Sequence, residues 1–367
     1  MKAVGVLAAV ALGLVTMGMP CSGALAQNRA GADVKIAERP NQVRGDEITE
    51  AQREAVGKGL RFLASRQQGN GSFGRGYGGT GGHAGITALG GLAFMSSGSL
   101  PGRGEYGQNV GKCLEFILAN CQESGLICSD NSNGAMYGHG FSTLFLGEIF
   151  GMTGDEDIKE RLQKAVRLIE RTQNQEGGWR YNPVPFDADI SVTITEIMGL
   201  RAARDAGIKV DKGVIEMAIK YVRRCQNADG GFNYQASGGG SAFPRSAAGV
   251  SSLYYAGIFE GNDLKRGLDY LKQAGAGRGG DGRFGGEMSG FYFYGHYYAC
   301  QAMFLAGGDY WGSYYPKMRD ELISRQNKTA GSWMGEAGDE YATAMALIIL
   351  QMPNRYLPVF HGKGPGN

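Results

Sequence analysis

A glutamine returns at near-constant spacing along this chain, at Gln67, Gln122, Gln173, Gln226, Gln273 and Gln326, each at the end of a helical segment. The intervals between neighbours are 55, 51, 53, 47 and 53 residues. A period of that length marks a repeat architecture, because each unit is too small to bury its own apolar face and must stack on its neighbours. Six units of one kind restrict the chain to a closed or solenoidal array, and they allow the units to be laid over one another position by position.

Each unit reads as two helices. In the first, apolar residues fall at i, i+3, i+4 and i+7, as in Leu162, Ala165, Val166 and Ile169, or Ile215, Ala218, Ile219 and Val222. Its other face carries charges such as Lys159, Arg161 and Glu170, which places it on the outside. The second helix, for example Ala88 to Met95 or Thr343 to Leu350, has no polar face and is expected to be buried. Between them runs a loop of the form Gln-x3-Gly-x-aromatic: Gln67 to Phe73, Gln173 to Trp179 and Gln226 to Phe232, with one extra residue from Gln326 to Trp333. The Gly permits a tight turn and the Gln can bond the backbone exposed there. The expected fold is all-α, a six helix-pair α/α toroid over residues 47–352, with a C-terminal tail at 353–367.

Ahead of the toroid stand Lys2, an apolar stretch from Ala3 to Met19, Pro20 and a small-residue site ending at Ala26. This is the anatomy of a secretory signal peptide over 1–26, followed by a polar linker over 27–46, and it predicts export to the periplasm or beyond. No later segment is apolar for long enough to span a membrane. Five cysteines remain after cleavage, an odd and scattered set that does not form a disulfide framework. With 37 basic against 35 acidic residues and no basic stripe, nucleic acid is excluded as a partner. The 63 glycines cluster in loops and act as punctuation.

Aligning the units on Thr87, Thr143, Thr193, Gly249, Cys300 and Ala344 puts His83, His139, Asp189, Arg245, His296 and Glu340 at the openings of the second helices. All six are ionisable, and in a closed barrel they would converge on one mouth of a central cavity. Helix capping is the competing account. It suits Asp189, but cationic side chains are disfavoured at helix N-termini. Inward helix N-termini would favour an anionic part of a ligand. His83, His139 and His296 with Asp189 or Glu340 also make a zinc-competent donor set. Tyr294 and Tyr297 lie beside His296 in an aromatic run that would present π faces to a cation.

The Gln-Gly-aromatic loops resemble the repeat of squalene and hopene cyclases, and the six helix pairs resemble protein prenyltransferase β subunits, over roughly residues 47 to 352. This resemblance implies an isoprenoid-like substrate in a central cavity. Asp187-Ala-Asp189 is similar to the acidic motif with which the cyclases protonate an alkene, with Ile190 where a third acid would stand, which implies Asp189 as acid and Asp187 as its partner. His139-Gly140-Phe141 is similar to a prenyltransferase segment that contacts diphosphate, which implies His139 and Arg245 as anion contacts, with His83 and His296 completing the site. Two readings from other classes stand beside it. One is a secreted glycan lyase or hydrolase using Asp189 and Glu340 as acid and base. The other is a toroid that binds a ligand or protein without catalysis.

Overall fold

The computed structural model describes residues 47–74, 81–129, 134–275, 291–335 and 337–362. The expected signal peptide and linker lie outside the described residues. Among those residues stand twelve α-helices: α1 (Glu50–Arg66), α2 (Ala84–Met95), α3 (Gly107–Ala119), α4 (Ala135–Thr153), α5 (Glu156–Thr172), α6 (Ile190–Asp205), α7 (Lys212–Arg224), α8 (Phe243–Tyr255), α9 (Asn262–Gly275), α10 (Tyr292–Ala306), α11 (Gly308–Arg325) and α12 (Asp339–Gln351). The even-numbered helices are buried along most of their length, whereas the odd-numbered ones bury a single stripe. Each even helix packs on the next, and α12 packs on α2, so the inner ring closes. The fold is the α/α toroid, with the outer helices wrapped around the inner six.

The repeat glutamines act as the hoops of this barrel. Gln173 Nε2 donates to Gly177 O at 2.9 Å within its own loop and to Val214 O at 2.9 Å in the next outer helix. Gln67 makes the same pair of bonds to Gly71 and Asn109, and Gln226 to Gly230 and Asp263. Gln326 donates to Gly331 O and, across the closure of the ring, to Ala55 O in α1 at 2.8 Å. Each Gln thus ties its own loop carbonyl to a carbonyl near the start of the next outer helix, which takes the extra donor with its second lone pair. Gln122 departs from the pattern. Its Gly follows three residues later instead of four, and its side chain stays exposed with Ser124 as partner. Gln273 lies exposed in the last turn of α9.

The loop glycine is required by two independent constraints. Gly177 has φ +99°, and a Cβ on it would stand 2.2 Å from Met217 O; Gly230 repeats this at φ +88° against Arg266 O. The aromatic of the loop then inserts between layers: Trp179 and Trp333 are fully buried, and their indole N–H groups donate to Ile169 O and Leu322 O of the preceding outer helices.

Beyond α12 the chain turns back across the C-terminal ends of the inner helices. Leu357, Val359 and Phe360 are buried there against α6 and α10. The Val359 N–H donates to Glu148 in α4, and Arg201 in α6 donates to Gly362 O. The other end of the barrel holds the cavity.

Candidate functional site at the inner-helix N-termini

The backbone N–H of each loop aromatic shows the true register of the inner helices. Phe73 donates to Thr87 Oγ1 at 2.9 Å, Trp179 to Thr193 Oγ1 at 3.1 Å, Phe232 to Ser246 Oγ at 2.9 Å and Trp333 to Thr343 Oγ1 at 3.0 Å. In the second unit the loop residue is Ile127, and its N–H donates to His139 Nδ1 at 3.1 Å. His139 therefore occupies the place that Thr or Ser fills elsewhere. His296 is the fifth residue of α10, as His139 is of α4.

That register corrects the expected ring. His139 is wholly buried, and because Nδ1 accepts, Nε2 must carry the proton toward Ala165 O of α5 at 3.3 Å. Burial pushes its pKa down to about 4, so at neutral pH the ring is uncharged wall material and not an anion contact. His296 is buried too, 2.7 Å from the Tyr314 hydroxyl of outer helix α11 and packed on Phe243 and Tyr292; burial, aided by the Arg325 charge, lowers it to about 3. His83 sits four residues before Thr87, where its Nδ1 accepts from the N–H groups of Gly85 and Ile86. A histidine does serve as a cap here, because an imidazole with a free lone pair on Nδ1 is an acceptor and not a cation. Glu340 pairs with Arg66 of α1 at 3.0 Å. The expected ring was drawn from four different registers, so its members do not meet. The proposed zinc donors are scattered accordingly: among the described residues no group of three or more His, Cys, Asp or Glu side chains could hold a metal ion. Cys113, Cys121, Cys225 and Cys300 are free thiols.

The residues that do converge lie two places before the common position: Tyr137, Ser191, Pro244 and Tyr294. With Gly134, Tyr181, Asn182, Tyr234, Ala242, Arg245 and Phe291 they line a cavity of about 900 Å³ at the openings of α4, α6, α8 and α10. Arg245 and Tyr294 of the expected set are here; Tyr297 is fully buried, edge-on to Phe141 below the mouth. Tyr137, Ser191, Tyr181 and Tyr234 were not foreseen. Their signal was available only after the loop-to-helix bonds had set the register.

Asp189 stands directly behind this wall and is completely buried. Its Oδ1 accepts from the N–H groups of Ser191 and Val192 at 2.8 and 3.0 Å, and from Ser191 Oγ at 2.5 Å. It is thus the N-cap of α6. Its Oδ2 stands 3.6 Å from Arg180 Nε, and hydrogen bonding from the Tyr234 hydroxyl also favours its charged form. Arg180 bonds Asp187 through Nη1 and stacks on Tyr181 and Tyr234, whose hydroxyls bond each other. Burial raises the Asp189 pKa against the lowering effect of its donors. On the cavity side, Tyr137 donates to Ser191 Oγ at 2.6 Å and Tyr294 to Ser191 O at 3.2 Å.

Residues 141–305 match the squalene-hopene cyclase C-terminal domain. No curated protein matches the chain in sequence. Among solved structures, an inactive variant of the α-1,6-mannanase GH76A of Salegentibacter sp. HEL1_6 in complex with α-1,6-mannotriose superposes with a TM-score of 0.63 at 10% identity, covering 83% of this chain and 99% of its own. Cellobiose 2-epimerase from Spirochaeta thermophila DSM 6192 gives 0.63 at 13%, covering 82% and 96%. The apo type II terpene cyclase MstE from Scytonema gives 0.59 at 13%, covering 84% and 100%. At such identities these likenesses speak for the fold alone. The chain is a single α/α toroid, and its stretch from α4 to α10, which builds the cavity wall, resembles the squalene-hopene cyclase C-terminal domain.

Proposed function

We propose that this toroid is an exported protein that binds a small, largely apolar, isoprenoid-like ligand in the cavity at the inner-helix N-termini. One observation carries the reading. The cavity of about 900 Å³ is walled by Tyr137, Tyr181, Tyr234, Tyr294 and Phe291, and no carboxylate is among its described lining residues. Aromatic walls with a few placed polar groups suit an apolar body with one polar end. Arg245, half-buried at the start of α8 with its Nε free of hydrogen bonds among the described residues, supplies a cation for that end, and the helix N-termini add to its field.

The fold shared with the mannanase and the epimerase favours a glycan as the second reading. Glycoside hydrolysis, however, ordinarily calls for two carboxyl groups flanking the scissile bond. Here Asp187 is engaged by Arg180, Asp189 is walled off, and Glu340 is engaged by Arg66. Cyclase-type protonation faces the same obstacle, since Asp189 has no direct line to the cavity. Native mass spectrometry of the mature domain incubated in turn with farnesol and with mannotriose separates the two readings. A stable farnesol adduct, lost when Tyr294→Ala and Phe291→Ala are combined, is the expected result. An adduct with mannotriose only would overturn the reading.

A further inference from the structure

Asp189, Ser191 and Tyr137 form one continuous hydrogen-bonded chain that begins on a buried carboxylate and ends in the cavity. Every bond in it points the same way. Tyr137 Oη–H donates to Ser191 Oγ at 2.6 Å, and Ser191 Oγ–H donates to Asp189 Oδ1 at 2.5 Å. The Tyr137 proton is therefore committed inward, and what its oxygen offers to the cavity is a lone pair. Ser191 is fixed at both ends: its N–H is held by Asp189 and its carbonyl by the Tyr294 hydroxyl. Asp189 cannot relax away, because the same Oδ1 caps α6.

We infer that this chain is a proton relay, and that the cavity takes an apolar ligand ending in a hydroxyl, whose proton it accepts. The inference rests on the cavity-binding reading above and deepens it. In the step itself the ligand O–H bond breaks and its proton passes to Tyr137 Oη. The Tyr137 proton moves to Ser191 Oγ, and the Ser191 proton moves to Asp189 Oδ1. The ligand keeps the electron pair as an alkoxide or phenolate, and Asp189 ends neutral, so charge and protons balance. Tyr137 is the group that receives the ligand proton; Ser191, which also lines the cavity, passes it on, and Asp189 is the final acceptor. No free phenolate has to form on Tyr137, whose ionisation burial and the Asp189 charge both oppose. Burial also raises the proton affinity of Asp189, which suits it to the end of such a chain. Arg245, which lines the same cavity, would stabilise the developing oxyanion.

The test uses 2-naphthol and 2-methoxynaphthalene as probes, in the second of which a methyl group replaces the donor hydrogen, and reads fluorescence. Wild-type protein is expected to bind 2-naphthol at least tenfold more tightly than the ether and to show naphtholate emission from the bound state. Tyr137→Phe should bring the affinity ratio close to one. Ser191→Ala and Asp189→Asn, the latter keeping the capping oxygen, should leave only neutral naphthol emission. Equal binding of both probes by the wild type overturns the relay while leaving the cavity reading standing. Naphtholate emission unchanged in Ser191→Ala and Asp189→Asn also overturns it, since solvent would then be the acceptor. Binding of neither probe overturns both readings.

Discussion

At the scale of single residues, the most instructive position is His139. A buried histidine is usually suspected of function, yet this one replaces a threonine in a structural bond and has both ring nitrogens engaged by backbone. Its folded pKa of about 4 lies below the ordinary 6.5, so the folded state binds fewer protons than the unfolded state between those values. Stability from this group is therefore complete above pH 6.5 and is lost as pH falls toward 4. The difference corresponds to about 3 kcal/mol at order of magnitude. Urea midpoints measured at pH 4.5 and 7 should differ markedly for the wild type, and by clearly less for His139→Gln. Glu148 behaves oppositely. Burial pushes it up to about 8, above the ordinary 4.5, so the folded state binds more protons and stability falls as pH rises from 4.5 to 8. A Glu148→Gln variant, which keeps an acceptor for the Val359 N–H, should show a flatter decline between pH 6 and 8.5 in the same measurement.

At the scale of elements, the closeness of α4 and α6 deserves its own account. Gly140, Gly147 and Gly199 line their seam, and a Cβ on Gly147 would stand 2.9 Å from the Ala202 backbone carbon. The two helices approach until backbone meets backbone, and this places Tyr137 of α4 within hydrogen-bond reach of Ser191 of α6. Gly147→Val should therefore cost about 1–3 kcal/mol by overpacking, read from urea unfolding, and should also weaken ligand binding at a mouth more than a turn away. The loop glycines set a second limit at this scale. Gly177→Ala meets both a positive φ and the Met217 carbonyl, and a loss of about 3 kcal/mol or more is expected in the same assay, whereas the exposed Gly154, with nothing within 4 Å of an added Cβ, should lose only the backbone term of about 1 kcal/mol on substitution.

At the scale of the whole molecule, the barrel depends on contacts that join the two ends of the described chain. Gln326 reaches Ala55 of α1, Gln52 of α1 reaches Leu350 O, and Gln351 reaches Ala93 O in α2. Opening the ring at Gln326 should thus release α1 first. Limited proteolysis of Gln326→Ala is expected to cut near residues 47–66 before anywhere else, while Gln226→Ala, which breaks the same bond inside the array, should give no such early product. No helix among the described residues is long and apolar enough to cross a membrane.

The six-fold repeat, the outer and inner character of the helices, the turn glycines and the buried loop aromatics were all legible in the order of residues. Each depends on periodicity or on local backbone geometry, which a chain carries along its own length. The loop glutamines were legible as backbone ligands, but not as the bonds that tie one unit to the next. The site was read less well, for a physical reason. Which side of a buried helix faces the cavity depends on its rotation, and a helix apolar all round offers no polarity to show it. Here the rotation is decided, in the five units whose loops are described, by one hydrogen bond from a loop N–H to a Thr, Ser or His side chain, and a histidine in that role looks like chemistry until its partners are seen. The sequence alone determined that this protein is a toroid of six helix pairs; only tertiary structure decided that its tyrosines, and not its histidines, face the cavity, because that choice rests on contacts between units some fifty residues apart.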